Sequence, residues 1–177
     1  FAAYIYNEKK IKYLHEKNAK SFFVLCFRDP KKSLISWHNM HRIIALSETP
    51  TDHFAYRERD FYATCSLTDY YGCFAKTLLE YDIHLKNLLN IIPKGQILLV
   101  SQERMSENVN SIAKSIIDFT QELTVDQDLE RDLSSKRHLG FADKKAEKLN
   151  QEIALELEQV RERFMSLVFE SGVRYIV

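Results

Sequence analysis

Residues Ser21–Arg42 read SFFVLCFRDPKKSLISWHNMHR. The run Phe22-Phe23-Val24-Leu25-Cys26-Phe27 has no polar break, which predicts a strand buried on both faces, as in a parallel sheet. Cys26 inside it is expected to act as a buried small hydrophobe. Pro30 cannot donate to a strand ladder and biases Asp29 away from helix, so the strand ends at Arg28-Asp29-Pro30. From Lys31 the spacing of Leu34, Ile35, Trp37, His38 and His41 is helical. Arg28 therefore stands at the carboxyl end of a strand, and Ser36 about two turns into the next helix. Open α/β sheets bind ligands at such junctions. A guanidinium fork and a hydroxyl suit an anion, a phosphate above all. The competing reading pairs Arg28 with a carboxylate and leaves Ser36 an ordinary helix residue.

Outward from this stretch the chain alternates helical and strand-like patterns. Asn7–Glu16 has amphipathic helical spacing through Ile11, Leu14 and His15. Residues 47–68 are polar and irregular, unlike a core element. Asp69–Ile92 carries a broad apolar stripe and reads as one long helix. Pro93-Lys94-Gly95 ends it, and Gln96–Val100, QILLV, reads as a second buried parallel strand. Glu103 then belongs to a structural turn, and a helix follows from Ser106 with Val109, Ile112, Ile116 and Phe119 on its apolar side. Asp143–Phe169 is the last long amphipathic helix, stopped at Gly172. The pattern defines an α/β chain with a parallel sheet flanked by helices.

Composition narrows the function. In 177 residues, 25 Lys and Arg balance 25 Asp and Glu, for a formal net charge of +0. That argues against nucleic acid held on a broadly basic surface. No apolar run reaches the length of a membrane span. The histidines are dispersed, and His38 and His41 lack Cys or carboxylate companions, so no metal is expected. Three cysteines without CxxC spacing, and no Asn-x-Ser/Thr sequon, favour a cytoplasmic location; a Golgi lumen is the alternative if the source is eukaryotic. The sequence opens on Phe1 with no signal peptide after it, so it is expected to start inside something larger.

Arg28-Asp29-Pro30, with Ser36 eight positions after the arginine and Trp37 beside it, resembles the 3'-phosphate-binding segment of sulfotransferases that use 3'-phosphoadenosine 5'-phosphosulfate (PAPS). The carbohydrate, heparan-type branch is the nearest in pattern. Gly72-Cys73-Phe74-Ala75 with Leu78 and Tyr81 resembles the family's glycine-aromatic-alanine helix, and Ser101 to Met105 its turn after a core strand. Ser134-Ser135-Lys136-Arg137 resembles a basic loop that reaches the nucleotide phosphate, without the family's glycine. The resemblance implies a P-loop-NTPase-like parallel sheet, a single partial domain over 1–177, and Arg28, Ser36, Lys136 and Arg137 as nucleotide ligands. It implies Tyr4 as a wall of the site. Acceptor contacts fall among His41, His53, Arg57 and Arg59. PAPS is the implied co-substrate, 3'-phosphoadenosine 5'-phosphate (PAP) its product, and a hydroxyl or amino group, carbohydrate first, the acceptor. The family's Gly-rich 5'-phosphosulfate loop and glutamate base would fall before Phe1, so this segment alone is expected to be inactive. Two alternatives are a catalytically inactive nucleotide-binding or regulatory module and a P-loop kinase relative.

Overall fold

Among the described residues, strand β2 (Ile97–Ser101) holds the centre of a three-stranded parallel sheet, with all five of its residues buried. In the computed structural model, which describes residues 8–120 and 149–176, β1 (Phe23–Phe27) lies on one side of β2 and β3 (Arg174–Ile176) on the other. Phe23 pairs with Ile97 and Phe27 with Ser101; Leu98 pairs with Arg174 and Val100 with Ile176. Parallel neighbours need long crossovers. Helices supply them: α1 (Glu8–Lys17) precedes β1, and α2 (Pro30–Ala45), α3 (Phe54–Arg57), α4 (Arg59–Thr64), α5 (Leu67–Tyr70), α6 (Lys76–Leu78) and α7 (Tyr81–Leu89) separate β1 from β2. After β2 come α8 (Gln102–Glu107), α9 (Val109–Thr120) and α10 (Gln151–Ser171).

The described residues form two compact units. The first takes in residues 8–28, 82–120 and 164–176 and contains the sheet. Leu98 and Val100 pack there with Ile112 and Phe119 of α9. Phe27 meets Phe164 and Tyr175 at ring distances of 4.9 and 5.1 Å, and Phe22 meets Phe119 edge-on at 5.2 Å. The second unit takes in residues 29–81 and 149–163. Its core joins Leu34, Ala45, Ala55, Tyr62, Tyr70, Tyr71, Ala75 and Leu79 to Ile153 and Leu157 of α10. Burial of each large apolar side chain contributes about 1.5–3 kcal/mol, so these clusters, not propensity, hold the short helices.

Several expectations change. β1 is not buried on both faces: among the described strands it pairs with β2 alone, four of its residues are half-buried, and Cys26 is exposed. An unbroken apolar run cannot by itself distinguish a flanking strand from a central one. The predicted helix over 69–92 is broken. A π-helical turn at Tyr71–Ala75 follows α5, and the chain leaves the helix at Leu79 and Glu80 before α7. The wider turn lets Tyr70, Tyr71, Ala75 and Leu79 all enter one core. Residues 47–68 are not a polar loop throughout, because α3 and α4 bury Ala55 and Tyr62 while Arg57, Glu58, Arg59 and Asp60 stay exposed. Asn108 interrupts α8 and α9, and its side chain accepts from Ser111 N–H at 3.0 Å.

Gly172 ends α10 with φ 66°, in the left-handed region that favours glycine. Gly172→Ala is expected to lower stability by about 1 kcal/mol through backbone strain alone, since a Cβ there meets only Lys94 Nζ at 3.6 Å. Urea unfolding of the two proteins measures it.

Candidate functional site at the β1–α2 junction

The chain leaves β1 through Arg28 and enters α2 at once. Asp29 is the N-cap and its Oδ1 accepts from Lys32 N–H at 3.1 Å. Pro30 occupies the first turn, where its missing N–H costs nothing. Arg28 is half-buried, and among the described residues it has no ion pair and no hydrogen bond. The side chain of Ser36, half-buried in α2, has no hydrogen-bond partner among the described residues either. The competing reading, in which Arg28 is spent on a carboxylate, thus finds no such carboxylate among the described residues. The first turn of α2 holds no acidic residue and carries Lys31 and Lys32. The N–H groups of that turn add the partial positive charge of a helix start. These donors have the chemistry a phosphate requires. Glu103, beyond β2, accepts from Ser101 Oγ at 3.0 Å.

The acceptor candidates separate sharply. His41 is only 4% exposed. Its Nδ1 shares a hydrogen bond of 2.7 Å with the Tyr70 hydroxyl. Phe54, Phe74, His53 and Tyr62 close around its ring at 4.7 to 5.5 Å. His41 is therefore a core residue with no open surface to offer a substrate. Burial, and then the charges of His53 and His38, push its pKa down to about 4. Burial likewise raises the Tyr70 phenol well above the ordinary tyrosine range, with Tyr62 and Cys65 adding to it. His53 caps α3 by accepting from Ala55 N–H at 3.1 Å, and His38 Nε2 donates to the Cys65 carbonyl at 3.0 Å. Sequence spacing missed this nest because its rings come from α2, α3, α4, α5 and the π turn. Arg57 and Arg59 remain on the surface. Tyr4, Lys136 and Arg137 lie outside the described residues.

Among the described residues no cluster of three or more His, Cys, Asp or Glu is placed to hold a metal ion. No described helix is long and apolar enough to cross a membrane.

A parallel sheet flanked by helices, with a strand running through an arginine into a capped helix, defines the α/β class to which P-loop-like transferases belong. A family model described as the sulfotransferase domain matches residues 8–168, and the chain belongs to that family. The family's chemistry is sulfuryl transfer from a nucleotide co-substrate to an acceptor. No curated protein matches the chain.

Proposed function

We propose that the protein takes part in moving the sulfuryl group of PAPS to a hydroxyl or amino group of a carbohydrate. In this reading Arg28 and Ser36 hold the ribose 3'-phosphate, with Lys136 and Arg137 as further cationic contacts. The observation that carries it is the Arg28 guanidinium, which directly follows strand β1 in a sulfotransferase chain and has no carboxylate partner among the described residues. When bound, PAPS supplies an activated sulfuryl group whose leaving group is a nucleotide phosphate. The part of Arg28 and Ser36 is to fix that nucleotide, so that transfer begins from an aligned complex. The carbohydrate acceptor rests on the pattern Arg28-Asp29-Pro30 with Ser36-Trp37. Tyr4 and the exposed Arg57 are assigned to the acceptor side; His41, enclosed in its ring nest, is not.

Titration calorimetry with PAP and with adenosine 5'-phosphate tests the reading. A loss of one charge-assisted contact to the 3'-phosphate predicts that PAP binds about tenfold or more tighter. Equal affinities would overturn it. Binding of oligosaccharides, phenols and peptides in the presence of PAP then tests the acceptor class without requiring turnover, with the oligosaccharides expected to bind.

A further inference from the structure

Lys31 and Lys32 occupy the one end of α2 where the helix's own field opposes cations, and no acid in that turn offsets them. The compensation comes from α10. Glu158 Oε2 accepts from Lys31 Nζ at 2.6 Å, and Glu158 Oε1 accepts from Arg161 NH1 at 2.9 Å. Arg161 Nε in turn stands 4.0 Å from Asp29 Oδ2, on the carboxylate whose other oxygen caps Lys32 N–H. Lys31, Glu158, Arg161 and Asp29 thus form a chain of alternating charge at the start of α2, all within the second unit. The Tyr81 hydroxyl adds a tie to buried Ser33 at 3.1 Å. These pairs are partly exposed, so they contribute little to overall stability. What they do is local: the only carboxylate beside Arg28 in the sequence is engaged by another arginine, and the first turn of α2 is held in one geometry.

We propose that Glu158 and Arg161 are positioning residues for 3'-phosphate recognition, holding the Asp29–Lys32 turn, and with it Ser36 on the same helix, in the geometry that receives the nucleotide. The proposal rests on the nucleotide-binding reading of Arg28 and Ser36. A sign test separates it from simple charge attraction. E158K adds positive charge near the site, and attraction alone would tighten an anionic ligand. Positioning requires the opposite, because the alternation around α2 is broken.

PAP binding is measured by titration calorimetry on the intact protein and on E158K, K31E, K31E/E158K, E158Q and R28A, with circular dichroism to check that each is folded. E158K and K31E are each expected to weaken PAP about fivefold, and E158Q about threefold as the milder version, with thermal midpoints little changed. The swapped pair in K31E/E158K should restore affinity to within about twofold of the parent, as coupled partners do. Unchanged or tighter binding by E158K overturns the proposal. So does a swap that fails to rescue, which would mean that Lys31 touches the ligand itself. R28A separates the two levels: if it leaves PAP affinity unchanged, the nucleotide-binding reading fails and this proposal with it; if it weakens binding while E158K does not, only the positioning role fails.

Discussion

Acidification from pH 7 to 4 is expected to remove about 3 kcal/mol of stability through His41 alone. The folded chain holds this imidazole neutral down to about 4, whereas the unfolded chain protonates it near 6.5. Between those values the unfolded state binds more protons, so stability rises with pH across the window. It is fully present above about 6.5 and lost progressively as pH falls toward 4. The cause is the ring nest, in which the Tyr70 hydroxyl occupies Nδ1 and Phe54, Phe74, Tyr62 and His53 leave almost no water around the imidazole. Urea unfolding at a series of pH values measures the slope. A His41→Asn variant, less stable at pH 7, should show a much flatter dependence from 6.5 to 4. An equally steep dependence in that variant would assign the proton uptake elsewhere. Direct titration of the His41 ring by NMR gives an independent check, with no protonation expected above pH 5.

Arg28→Ala is expected to weaken PAP by 1–3 kcal/mol, or about five- to 150-fold, the range for a lost hydrogen bond to a charged group. The effect should be ligand-selective. Adenosine 5'-phosphate, which lacks the 3'-phosphate, should bind parent and variant alike. Stability should change little, since Arg28 has no ion pair among the described residues. An equal loss for both nucleotides would mean that Arg28 acts on the 5' side or on the fold. Arg28→Lys is expected to recover only part of the affinity, because an ammonium cannot reproduce the planar fork.

The sheet and its flanking helices were legible from sequence because two unbroken apolar runs, Phe22–Phe27 and Ile97–Val100, lie beside Pro and Gly. What those runs could not reveal is their order. β2 is central and β1 flanks it, a matter of which strands find each other late in the chain. β3 escaped notice because Arg174-Tyr175-Ile176 is too short for any periodicity; its one signal was an alternation of Val173, Tyr175 and Val177 after a glycine stop. The π turn was hidden in an apolar stripe that looked continuous, since a single extra residue in a turn leaves the spacing almost unchanged. At the candidate site, local signals sufficed for Arg28, Asp29 and Pro30. Glu158 and Arg161 were invisible, because their pairing with Lys31 and Asp29 exists only once α10 is folded against α2.

The parallel sheet also has a consequence for synthesis. Among the described strands β1 is made first, and its pairing with β2 waits until Ile97–Ser101 has been made. The pairing of β2 with β3 waits longer still, until Arg174–Ile176 arrives. Parallel pairings this distant in sequence form slowly, and apolar strands that wait for their neighbours are open to other chains. Truncation before Arg174 should therefore yield aggregates rather than a smaller folded protein.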